Sequence, residues 1–270
     1  MFEKRLYMRI WDAIKLLLLF AFFDFIFSII ITVISYKLKL DSSIFLLSSL
    51  SAIFALLLCI RSANKKYYLN IGERLNFRLE SKAIIPALII TVIGLNIVIS
   101  EVVNYITLLI PMSDFFEEIF SEILGGELNL TGTFIRVVIV APIVEEILMR
   151  GIILEGLTSK YSNAKAIIVS SLLFGIIHLN IYQFVAASII GILLGWIYIN
   201  TNSLWLCIFT HGVYNSLGYI AESIFKIQIA GYTTEGFQPL WFTGVGLILI
   251  IFGGFLLKRI FKKKQYSYYF

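Results

Sequence analysis

Eight apolar stretches, separated by short polar or charged segments, dominate the pattern of the chain. About 20 apolar residues cross the hydrocarbon core of a bilayer as a helix, and each stretch approaches that length. Alternating segments of about ten residues, typical of a membrane β-barrel, are absent. We therefore predict an all-α, polytopic bundle of about eight transmembrane helices. The predicted spans are Leu16–Tyr36, Ile44–Ile60, Ala83–Ile110, Thr133–Leu157, Ala164–Leu179, Ile181–Ile199, Leu204–Phe225 and Leu240–Leu257.

The composition supports a membrane location. Hydrophobic residues make up 59% of the chain and charged residues only 14%, whereas soluble globular domains contain roughly 25% charged residues. The net charge is +5, but the basic residues flank the apolar stretches, where they set topology. We therefore expect the lipid bilayer, and not nucleic acid, as the partner of this surface. Cys59 and Cys207 lie in apolar runs and are expected to be small buried side chains.

Lysine and arginine cluster at one end of the predicted bundle. They occupy the N-terminal tail, the loop after the second span and the C-terminal tail, whereas the loop after the third span is acidic. By the positive-inside rule, both termini are expected in the cytoplasm. Because we find no internal repeat or flexible linker, residues 1–270 are expected to form a single integral-membrane domain. In the acidic loop, Asp114–Leu128 fits either a surface amphipathic helix or a solvated loop.

The first of three polar motifs, Glu145-Glu146-Ile-Leu-Met-Arg150, lies in the middle of the fourth span. Ionisable groups are costly inside a bilayer, so their presence there indicates function. Residues four apart share a helix face, and Glu146 is therefore expected to pair with Arg150. Glu145 points elsewhere and is left for general acid or base catalysis. Pro142 lacks an amide hydrogen, so we expect it to kink the helix and free a carbonyl group.

The other two motifs are Phe174-Gly-Ile-Ile-His178 and His211-Gly-Val-Tyr-Asn215, each with two side chains on one helix face. From the helix rise we place Glu145 and His178 about 18 Å from the cytoplasmic ends of their helices. His211 then lies about 10 Å and Asn215 about 17 Å from the same side. The motifs are thus predicted to converge near one level, with Asn215 rather than His211 level with Glu145. Each part alone is typical of a structural contact between helices, but the combination indicates a catalytic site.

In this combination the sequence resembles the CPBP family of intramembrane endopeptidases, which includes CAAX proteases and bacteriocin-processing enzymes and is also called the Abi family. The family motifs Glu-Glu-x-x-x-Arg, Phe-x-x-x-His and His-x-x-x-Asn/Asp stand complete and in the family's order. By this resemblance, residues 133–217 form the catalytic core of the predicted domain. The resemblance implies that water is activated by Glu145 and His178, that the oxyanion is stabilised by His211 and Asn215, and that the site is supported by Glu146, Arg150 and Phe174.

The resemblance leaves the cofactor open, because the family has been described both as metalloproteases and as glutamate peptidases that need no metal. An open catalytic zinc site would draw its ligands from Glu145, Glu146, His178 and His211. However, the His-Glu-x-x-His helix of the zincins is absent. We therefore favour hydrolysis without a metal and keep zinc as the alternative.

We expect the substrate to be a membrane-associated peptide or protein that enters from the cytoplasmic side, where the polar groups would be nearest to water. A composition rich in Ile, Lys and Asn favours a bacterial plasma membrane and a role in bacteriocin maturation, immunity or signalling. One alternative is a proton-coupled transporter, in which Glu145 and the two histidines relay protons. Another is a non-catalytic bacteriocin-immunity membrane protein. If one histidine is dispensable, we expect it to be His211.

Overall fold

The computed structural model describes residues 7–39, 44–67, 82–111, 113, 132 and 134–267. Within these ranges the chain is helical, apart from turns and one isolated β-bridge between Ala230 and Thr234, and the predicted all-α fold is confirmed. The segment Asp114–Leu128 lies outside the described residues. In the described part the helices are α1 (Ile10–Lys37), α2 (Ile44–Tyr67), α3 (Ile84–Leu109), α4 (consecutive segments Ile135–Val140, Ala141–Glu146, Ile147–Leu154 and Glu155–Thr158), α5 (Asn163–Ile176), α6 (Ile181–Thr201), α7 (Leu204–Tyr219, extended by a π-helical turn, Ile220–Ile224) and α8 (Leu240–Ser267).

Four of these helices are long and apolar enough to cross a membrane, namely α1, α3, α6 and α8. The fifth helix is shorter than predicted, because it ends at Ile176 rather than Leu179. Leu179 adopts a left-handed backbone conformation with φ of 57°, and the side chain of Asn180 caps the start of α6 by accepting a hydrogen bond from the Gln183 amide. With 14 residues, α5 is about 21 Å long, less than the roughly 30 Å of a bilayer core.

The two ends of the bundle differ in chemistry. At the first end, which we call the basic end, Lys66 at the end of α2 pairs with Asp12 at the start of α1, with 3.1 Å between Nζ and Oδ1. The Met8 amide lies there too and donates to Ser159 in the turn between α4 and α5. At the opposite end, the Tyr182 hydroxyl at the start of α6 donates to the Ile110 carbonyl after α3, at 2.6 Å. The turn between α5 and α6 therefore lies at the end of the bundle remote from the basic residues.

The fourth helix is the buried centre of the molecule, because α2, α5, α6 and α7 all pack against it. Its apolar side chains Leu148, Met149, Ile152, Ile153, Leu154 and Leu157 are fully buried. By contrast, α1 is largely exposed and packs mainly on α2. Ser51 of α2 donates a hydrogen bond of 2.6 Å to the carboxylate of Asp24 on α1. The Asp24 carboxylate therefore takes part in a contact between two helices. The polar motif of α4 is thus placed where neighbouring helices surround it.

Close packing of α3 against α8 depends on glycine. A Cβ atom built on Gly94 would lie 2.6 Å from the Gly246 carbonyl oxygen, and one on Gly253 would lie 2.9 Å from the Thr91 amide nitrogen. Small residues that let two backbones approach are typical of helix contacts in membranes. Because α3 also contacts α6 and α7, this contact joins α8 to the core.

Adjacent glycines on α8 allow a matched test of this packing. We expect Gly253→Ala to lower the free energy of unfolding by about 1–3 kcal/mol, because the added methyl group collides with the α3 backbone. Gly254→Ala adds the same methyl group where no atom lies within 4 Å and should be neutral or slightly stabilising. Thermal unfolding of the purified protein in detergent measures both variants. Equal unfolding temperatures for the two would contradict the packing.

Candidate active site

The glutamates of α4 lie on a short α-helical segment, Ala141–Glu146, between two π-helical segments. Pro142 within it has no amide hydrogen, so carbonyl groups four and five residues earlier lose a helical donor. One of them, the Val137 carbonyl, accepts a hydrogen bond of 2.9 Å from Nδ2 of Asn215 on α7. The Val137 carbonyl, which Pro142 was expected to free, therefore accepts a hydrogen bond that joins α4 to α7. π-Helical segments within α-helices are frequent at functional sites.

A buried ion pair forms the base of the site. Arg150 Nη1 donates to Glu146 Oε1 at 2.7 Å, and Nη2 donates to the Gly191 carbonyl of α6 at 3.0 Å. The two side chains are 1% and 0% exposed. The guanidinium also lies over the ring of Phe174, with 5.0 Å between Cζ and the ring centroid. The predicted pairing of Glu146 with Arg150 is therefore present, and it is anchored to two further helices.

His211 lies between the two glutamates. Its Nδ1 is 2.9 Å from Oε1 of Glu146, and its Nε2 is 3.8 Å from Oε2 of Glu145. The His211 side chain is only 5% exposed, whereas that of Glu145 is 23% exposed. The glutamate without a helical partner is thus the more exposed of the two.

Phe174 joins both histidines. Its ring meets His178 and His211 edge to face, with centroids 5.2 and 5.7 Å apart, and its carbonyl oxygen lies 2.9 Å from Nδ1 of His178. Phe174 is 1% exposed, while His178, near the turn at the end of α5, is partly exposed. The motif Phe-x-x-x-His therefore supplies a fixed ring and a reachable imidazole.

The predicted depths of His211 and Asn215 relative to Glu145 are wrong. His211, and not Asn215, contacts the glutamates, and Asn215 lies about one turn further along α7, beside Val137. The prediction takes the end of α4 and the start of α7, at the cytoplasmic side, to lie at the same level and both helices to rise uniformly. In the structure the first residue of α7, Leu204, packs against Gly151, seven residues before the end of α4, and π-helical segments of α4 rise less steeply.

The position of His178 bears on the expected side of entry. It follows α5 at the end remote from the basic residues, roughly 22 Å along the helix axis from Asn163. His178 is thus nearer to the opposite end of the bundle than to the basic end, whereas Glu145 lies near the middle of α4. Entry from the cytoplasmic side stays a prediction.

The four residues of the zinc alternative do not fit a metal site in this arrangement. All four are described, and no group of three or more His, Cys, Asp or Glu side chains in the described ranges is placed to hold a metal ion. We therefore derive no step through zinc.

One acceptor in the site was missed in the sequence, the Gly191 carbonyl of α6. Backbone acceptors carry no side-chain signature. For the Val137 carbonyl Pro142 was the signal, because a proline inside a helix removes the amide donor of a carbonyl in the preceding turn. The acceptor on α6 gave no such signal.

Residues 127–217 match the model of a family described as type II CAAX prenyl endopeptidase Rce1-like. All the residues of the three motifs lie within the matched range. For this similarity we call residues 127–217 the Rce1-like segment. The match confirms the resemblance to CPBP-family intramembrane proteases for this part of the chain.

A relative of the Rce1-like segment is a Bacillus subtilis (strain 168) protein named "Putative membrane peptidase YdiL", which is 33% identical over 84 residues. The aligned residues cover 31% of this chain and 34% of the relative. The chain thus aligns with about a third of the length of that curated protein. No solved structure matches the chain.

The ion pair of the Rce1-like segment can be tested by removing one or both charges. Arg150→Met leaves the Glu146 carboxylate buried without its cation and should lower the free energy of unfolding by about 3–5 kcal/mol. The double variant E146Q/R150M leaves no uncompensated charge and should lose less. Unfolding in detergent compares the three proteins. A double variant less stable than the single variant would contradict this account.

Proposed function

We propose that the protein is an intramembrane endopeptidase of the glutamate-dependent CPBP type, which hydrolyses peptide bonds of a membrane-associated peptide or protein. The observation that carries the proposal is a reachable carboxylate, Glu145, next to a buried ion pair on a core helix. The second support is the match of residues 127–217 to an endopeptidase family. The domain is taken as residues 1–270, with its catalytic core at 133–217.

Glu145 is the general base in this mechanism. Its carboxylate takes a proton from a water molecule while the water oxygen attacks the carbonyl carbon of the scissile peptide bond. The same proton then passes to the leaving amine as the C–N bond breaks, which regenerates the carboxylate. His178 Nδ1 is engaged by the Phe174 carbonyl, so Nε2 is the nitrogen that orients the water. Each step conserves charge, and the enzyme returns to its starting state after the second step.

Asn215 is the oxyanion donor. One hydrogen of its Nδ2 group is used on the Val137 carbonyl, and an amide group has a second hydrogen to donate. Since that first bond fixes the plane of the amide, the second hydrogen has a set direction, as a preorganised oxyanion donor requires. The same contact that repairs the proline gap in α4 thus orients a catalytic group.

The substrate is a peptide or protein segment held within the bilayer. The matched family is described by cleavage of prenylated CAAX proteins, but the mechanism above requires only a peptide bond and water. We place the protein in the plasma membrane of a bacterium, from its composition and from its Bacillus relative. Maturation of a bacteriocin or a signalling peptide fits this substrate class.

Replacement of the general base tests the reaction. We expect Glu145→Gln to reduce cleavage by about 100-fold or more, since proton transfer by a positioned side chain contributes at least that much. Glu235→Gln makes the same chemical change in the exposed loop before α8 and should leave cleavage unchanged. Peptidomics of membranes that contain each protein measures the products. A product set that is the same with wild type and Glu145→Gln would refute the proposal.

A second arm of this experiment addresses the metal. Purified wild-type protein is treated with a strong chelator, dialysed and assayed on the same substrates. Activity that survives agrees with hydrolysis by Glu145 and water. Activity that is lost and is restored by zinc alone would overturn the metal-free mechanism.

A further inference from the structure

Glu146 contacts more than its helical partner. Oε1 accepts from Arg150 at 2.7 Å and lies 2.9 Å from Nδ1 of His211, and the side chain is fully buried. The family resemblance gives Glu146 only a supporting role. Its contact with His211 links the buried ion pair directly to the imidazole that faces Glu145.

An ionised carboxylate can only accept hydrogen bonds. Because Oε1 of Glu146 is paired with the Arg150 guanidinium, it is the acceptor in its contact with His211, and Nδ1 of His211 must carry the hydrogen. In a neutral imidazole Nε2 is then an acceptor without hydrogen. In His211 that nitrogen is directed at Glu145, with 3.8 Å between Nε2 and Oε2.

We propose that Glu146 is a positioning residue that fixes His211 in the Nδ1–H tautomer and turns its bare Nε2 toward Glu145. In the hydrolysis proposed above, on which this functional consequence rests, the bare Nε2 of His211 holds the proton that Glu145 has taken from water until it passes to the leaving amine. An oxyanion needs an N–H group directed at it, and Nε2 gains one only when it has accepted this proton. Before that transfer the oxyanion donor is Asn215.

The packing around His211 holds the ring in this orientation. The Phe174 ring meets it edge to face at 5.7 Å, and Arg150 is itself fixed by the Gly191 carbonyl. His178 has the same chemistry, because its Nδ1 faces the Phe174 carbonyl, which also only accepts. Both histidines therefore direct a bare Nε2 away from the groups that hold them.

The chain has only two histidines, so the tautomers can be read directly. Protein labelled with ¹⁵N-histidine in detergent micelles gives two imidazole spin systems, which His178→Gln assigns. At a pH where both rings are neutral, we expect the Nδ1–H tautomer for both. A neutral His211 that carries its hydrogen on Nε2 in the wild type, or a His211 that stays doubly protonated at every pH at which the protein is folded, overturns the proposal.

Variants of Glu146 test the cause of the tautomer. In the double variant E146Q/R150M an amide replaces the carboxylate and no guanidinium holds its oxygen, so it can donate as well as accept. The single tautomer of His211 should then be lost while the His178 signals stay unchanged. Glu146→Asp keeps an acceptor-only group and should retain the Nδ1–H form. Glu145→Gln is the matched control on the other side of the ring and should also retain it. An unchanged His211 tautomer in E146Q/R150M would overturn the positioning role.

The spectra separate this inference from the proposed function, because they need no substrate. If the tautomers are as expected but no membrane peptide is cleaved, the proposed activity fails and the positioning role of Glu146 stands. If cleavage depends on Glu145 but His211 carries its hydrogen on Nε2, the activity stands and the positioning role fails.

Discussion

The site depends on one buried carboxylate, that of Glu146. Burial of an ionised group away from water is tolerated only when cations and hydrogen-bond donors compensate for its lost hydration. Here the compensation comes from Arg150 on the same helix and from His211 on α7. Arg150 in turn needs the Gly191 carbonyl of α6 and the face of Phe174 on α5. The groups that compensate the charge of Glu146 therefore lie on four helices, α4, α5, α6 and α7, which meet beside Glu145.

Glycine and proline make this assembly sterically possible. Gly212 lets α7 approach α4, since a Cβ atom there would lie 2.8 Å from the Val138 carbonyl oxygen. Pro142 removes a helical donor from the preceding turn of α4, and Asn215 donates to the Val137 carbonyl there. In a bilayer an unpaired backbone carbonyl is costly, so such repairs by a neighbouring helix are required. The result is a rigid inner part, with Glu146, Arg150 and His211, and a more accessible outer part, with Glu145, His178 and Asn215.

Local periodicity predicted much of this fold, and tertiary packing decided the rest. Helix positions and the Glu146–Arg150 pair followed from apolar run lengths and from spacing four residues apart. The level of His211 was predicted wrongly, because it depends on where Leu204 of α7 meets α4, which no single helix encodes. The early end of α5 was missed because the left-handed conformation of Leu179 is rare for leucine.

The central claim is that water adds to a peptide bond at this site within the membrane. Its most direct test is digestion of membrane peptides by purified, reconstituted protein in water enriched in ¹⁸O, followed by mass spectrometry of the products. The account predicts new C-terminal carboxyl groups that carry ¹⁸O from the solvent and that do not form when Glu145 is replaced by Gln. Products without ¹⁸O, or no new C-termini with the wild-type protein, would contradict it.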